Sequence, residues 1–536
     1  MMPARSLQDY ANLLSDALDR VLANPTASHC WSNLMTLTRA YCDAGHDYAL
    51  LLELVRVLQQ AVAPEGSAGF YLALYLDFAT LGKPQLGAAC ALVRSMMPYD
   101  LDRMSAFFFF AWQISLSRSH DRKSFLDALR HSELPALGAL MGQLVAQRQS
   151  VRLTPRVVAQ IKKVAVVAPS LLSKQSTPSM MALDQAQVLI QNGMQVALFS
   201  CQEAAIPDFS QLLGNGFENQ ITTFELEPVM RERGLNLAVT LGDAQFSLLR
   251  RTLEMLEQIK QFDPDLVLII GLHSCLAHAL YQVRPVLAMG VNSIAPMLPF
   301  DAWLAARPDA LARPWGDYFP AGLVWHYPYR LHRKPVTHTV TRSELGLTAH
   351  AVVLVSSAWY LPLQIDEAWL KRMVALVQQH TNVVWLLLGS DSVLQAPLQA
   401  LSAQQLRLLP FTGNVMGVFA CCDIYVNPPR MGGGFAVADA MAAGLPAVSF
   451  ADSDGGDKLG AAESPDEASF FATLLNLIHD AGLRAQVGAQ MRARFDQCID
   501  LAQAGPGMAS ACQAALAHYQ QRMRQTESES KAGPYP

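Results

Sequence analysis

The pattern of apolar and polar positions changes near residue 156. Before this point the apolar residues recur at helical spacing, as in YALLLELVRVLQQAV (Tyr48–Val62), and no segment has a convincing strand pattern. After it, short apolar runs such as KVAVVAP (Lys163–Pro169) alternate with helical segments. Continuous apolar strands that alternate with helices are typical of a parallel sheet covered on both faces. We therefore predict an all-α region followed by α/β structure.

The helical region, residues 1–156, contains a weak internal repeat. Gly45 and Gly82 each precede a helical segment that ends at a proline, Pro64 in the first case and Pro98 in the second. The spacing between the glycines and that between the prolines are both near the period of tetratricopeptide (TPR) helix pairs. The pattern indicates a TPR-like domain, and an ordinary helical bundle is the alternative.

Two sets of strands and helices follow. The first includes MQVALFSC (Met194–Cys201) and PDLVLIIGLHS (Pro264–Ser274), and the second begins with AVVLVSS (Ala351–Ser357). Between them lies HYPYRLHRKPVTHT, whose proline, histidine and arginine content indicates an interdomain connection. We predict two Rossmann-like domains, over residues 157–335 and 336–524, and a disordered tail over residues 525–536.

The composition limits the cellular locations and the binding partners that can be expected for this protein. The 536-residue chain has a net charge of −5, so it lacks the general basic character of nucleic-acid-binding proteins. Its nine cysteines are scattered without C-x-x-C spacing, which favours reduced thiols over disulfides or a zinc site. No signal peptide is evident, and no apolar run is long enough to span a bilayer. We expect a cytoplasmic protein with no nucleic-acid partner and no integral membrane segment.

The segment CDIYVNPPRMGGGFAVADAMAAGLPAVSF (Cys422–Phe450) predicts an anion site. An apolar strand leads into Gly432, Gly433 and Gly434, and a helix begins near Phe435. Glycine permits positive φ and close backbone approach, and the first N–H groups of a helix are unpaired at the positive end of its dipole. At the carboxyl edge of a parallel sheet, this arrangement suits a phosphate or diphosphate. A tight turn that needs glycine only for its geometry is the alternative.

Two familiar nucleotide motifs do not fit this segment. It contains neither G-x-G-x-x-G nor G-x-x-x-x-G-K-[ST], so nicotinamide-dependent hydride transfer and P-loop hydrolysis lose support.

The same segment resembles the nucleotide-sugar segment of GT-B glycosyltransferases. There, too, a strand ends in a proline pair, and a loop of small residues opens a helix that carries an acidic residue. TRSELGLTAHAVVLVSSAWYLPLQIDEAWLKRM (Thr341–Met373) is similar to the start of the second domain in the O-GlcNAc transferase and HMW1C-type N-glycosyltransferase group. SKQSTPSMMALDQA (Ser173–Ala186) resembles the Ser/Thr-rich first-domain loop of the HMW1C-type enzymes.

This resemblance implies an α/β GT-B fold, with two Rossmann-like domains facing a cleft after the TPR-like region. The first domain would hold the acceptor, and the second a nucleotide-diphosphate sugar, UDP-sugar foremost, as co-substrate. It implies transfer to a protein side chain without a metal or other cofactor. A lipid-linked or polysaccharide acceptor, a non-catalytic GT-B-like binding module and a sugar-phosphate epimerase are the alternatives.

The chain departs from the family patterns at three places. Gly433-Gly434-Phe435 replaces the His-Thr-Thr of the O-GlcNAc group, and the lysine expected after the VSS strand is absent. The E-x7-E of many retaining GT-B enzymes is also absent, since Met431 stands eight residues before Asp439. Retaining and inverting chemistry both stay open.

Donor-site candidates lie where strands of the second set end. Small and hydroxyl residues at this edge allow close approach of a nucleotide, and ordinary turn roles are the alternative. The acidic loop at residues 452–457 lacks the full calcium-loop pattern, so we expect it to cover the sugar or diphosphate. The predicted donor contacts are Ser356, Ser357, Gly389, Ser390, Phe411, Asn427, Arg430, Gly432, Gly433, Gly434, Phe435, Asp439, Asp452, Ser453 and Asp454.

The first set of strands supplies the candidate general base. His273 follows the strand LVLIIGL at its carboxyl edge, and an imidazole can take a proton from an acceptor hydroxyl at neutral pH. Asp184 is the weaker alternative base, and His278 is expected to be structural. A polar loop at the end of the first strand is predicted to contact acceptor or sugar through Ser173, Lys174, Gln175, Ser176 and Thr177.

Overall fold

The computed structural model describes most of the chain. Four predicted site residues, Ser173, Lys174, Gln175 and Ser390, lie outside the described residues. The described residues are 6–43, 49–79, 93–94, 100–118, 134–148, 151, 153–171, 176–204, 223–291, 295–306, 321–328, 330–357, 365–389, 396–430 and 432–532.

The N-terminal region is helical throughout its described part, which confirms the predicted TPR-like all-α region. The apolar spacing seen in the sequence sets the buried face of the third helix, which packs Leu51, Leu54, Val55 and Leu58 into the core. The helices are α1 (Leu7–Ala23), α2 (Ser28–Asp43), α3 (Ala49–Ala61), α4 (Gly66–Ala79), α5 (Leu101–Arg118) and α6 (Leu134–Arg148).

Within the described residues, the first sheet has seven parallel strands in the order β3-β2-β1-β4-β5-β6-β7. The strands are β1 (Lys163–Val167), β2 (Gln195–Ser200), β3 (Ala238–Leu241), β4 (Leu266–Ile270), β5 (Val286–Met289), β6 (Ala302–Ala305) and β7 (Val324–His326). The helices among them are α7 (Thr177–Gln191), α8 (Thr223–Glu232), α9 (Leu248–Phe262) and α10 (Cys275–Leu280).

The second sheet, in the part of the chain that the structure describes, has five parallel strands in the order β10-β9-β8-β11-β12. The strands are β8 (Val352–Ser357), β9 (Val383–Leu388), β10 (Leu406–Leu409), β11 (Ile424–Val426) and β12 (Ala447–Val448). The helices are α11 (Glu367–Gln379), α12 (Val415–Phe419), α13 (Gly434–Ala443), α14 (Asp454–Leu459), α15 (Glu467–His479), α16 (Ala481–Arg494) and α17 (Gly505–Ala532). Two doubly wound parallel sheets confirm the predicted fold class.

Helix α17 departs from the sequence prediction in two ways. It continues to Ala532, into the segment that was predicted to be disordered. It also returns to the first sheet, because Met508, Cys512 and Leu516 are buried in the same core as β5 and β6. Asp301, at the start of β6, accepts hydrogen bonds from the Arg522 side chain of this helix. The C-terminal helix therefore joins the first unit, although the sequence assigned residues up to 524 to the second.

Among the described helices, none combines the length and the apolar character that a membrane span requires.

Candidate active site

A cavity of about 250 Å³ lies between the two sheets. One wall is the N-terminal part of α7, and the opposite wall is the carboxyl edge of β8 and β9 with the first turn of α13. The connection between the two units closes one side. The lining residues are Thr177, Met180, Asp184, Arg233, Leu331, His332, Lys334, Ser357, Leu388, Phe411, Thr412, Gly413, Val415, Phe435, Ala436 and Asp439.

The glycine run opens helix α13 beside this cavity. Gly433 is the N-cap with φ 100° and ψ −3°, a left-handed conformation that favours glycine. The first hydrogen bond of the helix runs from the Val437 N–H to the Gly433 carbonyl. Within the described part of the chain, no partner accepts from the N–H groups of Gly434, Phe435 and Ala436. Because Phe435 and Ala436 line the cavity, a helix N-terminus with free donors faces it.

A buried polar network supports the glycine loop from behind. Asn427 donates through Nδ2 to Ser449 Oγ at 2.9 Å and accepts through Oδ1 from Arg430 Nε at 3.0 Å. Arg430 also donates to the Ser357 carbonyl at 3.0 Å, which ties the loop to the end of β8. Ser453 caps α14 by accepting from the Gly456 N–H at 3.0 Å. These side chains are almost fully buried, so they position the loop.

Two acidic residues face the cavity from opposite sides. Asp184 of α7 pairs with Arg233 and accepts from the His332 N–H at 3.5 Å. Burial raises the pKa of Asp184 to about 6. Asp439 of α13 accepts from Lys334 Nζ at 2.5 Å, and burial raises its pKa while Lys334 lowers it. The cavity thus carries two ion pairs, Asp184 with Arg233 on the first unit and Asp439 of the second unit with Lys334 of the connection.

The structure does not bring His273 to the cavity. It is fully buried beneath α6, and its Nε2 lies 2.7 Å from the Gly138 carbonyl oxygen, which can only accept. The ring also packs against Phe108, with the centroids 5.1 Å apart. Burial lowers the pKa of His273 to about 3. The N-terminal helices cover the carboxyl edge at β4, so His273 has a structural position, and His278 is packed in the same way under Gly142.

The other predicted residues divide into three groups. Thr177, Asp184, Ser357, Phe411, Phe435 and Asp439 line the cavity together. Ser356 is fully buried, donating to the Val426 carbonyl at 2.6 Å and accepting from Trp385 at 3.1 Å, so it is unavailable to a donor. The remaining described candidates are not among the residues that line the cavity: Ser176, Gly389, Asn427, Arg430, Gly432, Gly433, Gly434, Asp452, Ser453 and Asp454.

Sequence reasoning missed the cations of the cavity. Lys334 and His332 belong to HYPYRLHRKPVTHT, whose composition indicates only an interdomain connection, and Arg233 directly follows α8. The basic cluster in that connection was the available signal.

Among the described residues, one buried cluster combines side chains of the types that ligate metals. Glu203, His273 and Cys275 place ligand atoms within 4.8 Å of one another. However, Glu203 already accepts from Ser274 Oγ at 2.7 Å and from the Cys275 N–H at 3.1 Å. These hydrogen bonds satisfy the buried carboxylate of Glu203. The cluster lies under the N-terminal helices, away from the cavity.

Comparison with known proteins gives the fold. The Thermobaculum terrenum O-GlcNAc transferase mutant matches with a TM-score of 0.58 and 13% identity over 97% of this chain and 98% of that chain. The fold is GT-B. The GT-B assignment confirms the predicted pair of Rossmann-like domains that face a cleft after a helical N-terminal region.

Other comparisons concern parts of the chain. Residues 352–480 match the family described as glycosyl transferases group 1, which confirms the predicted enzyme class, a glycosyltransferase. Anabaena Alr3699/HepE in complex with UDP and glucose matches with a TM-score of 0.48 and 13% identity, over 66% of this chain and all of that one. WaaG, a glycosyltransferase involved in lipopolysaccharide biosynthesis, matches with a TM-score of 0.41 and 11% identity, over 65% and 98%. No curated protein matches the chain.

Proposed function

We propose that this protein transfers a sugar from a nucleotide-diphosphate donor, UDP-sugar foremost, to a protein side chain without a metal. The observation that carries the proposal is the free N-terminus of α13 at a cavity between the two sheets. The departing diphosphate gathers negative charge as the sugar leaves. Fixed N–H donors and cationic side chains stabilise such charge without rearranging.

The donor lies along α13 in this proposal. Its diphosphate faces Phe435 and Ala436, its ribose or sugar hydroxyls bond the buried carboxylate of Asp439, and its base lies near the half-exposed Phe411. Ser357 forms the edge of the cavity between the diphosphate and the base. The hydrogen bond from Arg430 to its carbonyl holds this edge in place.

Asp184 replaces His273 as the proposed general base. An acceptor hydroxyl or amide attacks the anomeric carbon, its proton passes to the Asp184 carboxylate, and the diphosphate leaves toward α13. A pKa of about 6 suits this task, because the group is ionised at neutral pH and still takes up a proton readily. Arg233 holds the carboxylate in place.

The acceptor class rests on two features. The T. terrenum neighbour is an O-GlcNAc transferase by name, and the N-terminal helices of this chain form a TPR-like region of the kind that presents concave binding surfaces. A lipid-linked or polysaccharide acceptor is the second candidate. We keep the predicted cytoplasmic location, which the scattered cysteines without C-x-x-C spacing favour.

A pair of variants matched in size and different in charge tests the anion site. Ala436→Asp and Ala436→Asn have side chains of similar size, and an acidic residue in the first turn favours the helix, so folding is preserved. Donor turnover is measured with UDP-, GDP- and dTDP-sugars on purified protein. We expect Ala436→Asp to lose far more turnover than Ala436→Asn, because only the aspartate repels the diphosphate. Equal turnover in the two variants would refute the anion site, and a wild-type protein that turns over no donor would favour the non-catalytic binding module.

A further inference from the structure

The cavity contains few cations that could meet a diphosphate. Among the described lining residues, Arg233, His332 and Lys334 are the basic side chains. Arg233 is 11% exposed and paired with Asp184, which is 2% exposed. Burial lowers the pKa of His332, so the imidazole is mostly neutral at physiological pH. Lys334, with a side chain 44% exposed, is the cation with room to move.

Lys334 lies where its ammonium can reach either Asp439 or a diphosphate at the N-terminus of α13. It comes from the connection between the two sheets and bonds Asp439 Oδ2 at 2.5 Å. Asp439 lies five residues after Gly434, so it is about 7–8 Å along the axis from the helix N-terminus. A lysine ammonium on its flexible four-carbon stem can cover much of that distance by changing rotamers.

We propose that Lys334 is a donor-responsive cation, which leaves Asp439 for the diphosphate when a nucleotide sugar binds. Its ammonium then stabilises the leaving group beside the N–H groups of α13. Asp439, freed from the lysine, accepts hydrogen bonds from the ribose hydroxyls of the same donor, which keeps the buried carboxylate satisfied. This inference rests on the proposed function and assigns the leaving-group cation within it.

The chemistry distinguishes this role from a structural one. If Lys334 acts on the diphosphate, its removal should weaken binding of a nucleoside diphosphate and leave the uncharged nucleoside almost unaffected. If Lys334 only holds Asp439 in place, both ligands should weaken equally. The ratio of the two dissociation constants is therefore the diagnostic quantity.

The test measures that ratio by isothermal titration calorimetry on the full chain. The probe is the tightest-binding of UDP, GDP and dTDP, compared with its own nucleoside. In Lys334→Met, we expect about a tenfold or greater loss for the diphosphate, in line with a charge-assisted hydrogen bond, and less than about twofold for the nucleoside. Lys334→Arg should restore most of the loss. Lys371→Met is the matched control, because Lys371 is exposed and pairs only with Glu367 on its own helix, among the described residues.

The outcomes distinguish a failure of the proposed function from a failure of the role assigned to Lys334. A wild-type protein that binds none of the three diphosphates contradicts the proposed function itself. Wild-type binding with an unchanged ratio in Lys334→Met overturns the inference and leaves the proposed function standing. In Asp439→Asn, we expect the nucleoside to weaken, whereas a loss confined to the diphosphate would also contradict the division of roles.

Discussion

Replacing Gly433 with alanine should destabilise the glycine loop by two separable effects. The first is backbone strain, because φ is 100° at this position, and a left-handed conformation costs a non-glycine residue about 1–2 kcal/mol. The second is a collision, since an added Cβ would lie 2.3 Å from Asn427 Oδ1. Asn427 is fully buried and bonded to Ser449 and Arg430, so it cannot yield without breaking hydrogen bonds.

The structure gives the expected size of this destabilisation and offers two matched control variants. An unsatisfied buried polar group costs about 1–3 kcal/mol, so Gly433→Ala should lower the free energy of unfolding by about 2–5 kcal/mol with the strain included. Gly444 has φ 79° with open space around its Cβ position, so Gly444→Ala reports strain alone. Gly432 has open space without a left-handed φ, so Gly432→Ala should change stability by less than about 0.5 kcal/mol.

Urea unfolding followed by circular dichroism measures the three differences. The expected order of destabilisation is Gly433→Ala, then Gly444→Ala, then Gly432→Ala. In the double variant Gly433→Ala with Asn427→Ala, the collision is gone, so the two losses should be less than additive. If Gly433→Ala proved no more destabilising than Gly444→Ala, the buried asparagine would not be what shapes the anion site.

Three further predictions follow from buried groups. If Asp184 is the base, turnover should fall as the pH drops through about 6, and Asp184→Asn should lose both activity and this pH dependence, as seen in initial rates from pH 5 to 8. Burial raises the pKa of Glu203 from 4.5 to about 7, so the folded protein binds this proton more tightly and stability falls as the pH rises between those values. Glu203→Gln should therefore show a smaller drop in melting temperature from pH 5 to 8 than wild type, and an equal drop would contradict the buried position. Leu516→Ala should cost about 2–5 kcal/mol in urea unfolding because it opens a cavity between α17 and the first sheet, whereas the exposed Leu52→Ala should have little effect.

Local sequence patterns predicted the second sheet well. The strand predicted at residues 351–357 is β8 at Val352–Ser357. This prediction succeeds because a continuous apolar run is a local signal. The glycine run likewise lies at the start of α13, because the need for a left-handed residue is itself local.

Non-local packing explains what the sequence did not reveal. His273 follows a strand at the edge where ligands often bind, but α6, more than a hundred residues earlier, covers it through Gly138. The basic cluster in HYPYRLHRKPVTHT is the one local signal for Lys334, and it cannot reveal the partner, because Asp439 is 105 residues away along the chain. The polar end of α17 looks disordered in isolation, whereas its earlier residues are anchored on the first sheet and the helix simply continues.

A crystal structure of the full chain with bound UDP tests the central claim most directly. We expect diphosphate oxygens within about 2.7–3.2 Å of the Phe435 and Ala436 backbone nitrogens, in the cavity between the two sheets. A diphosphate bound elsewhere, with those nitrogens making no contact to it, would contradict the account.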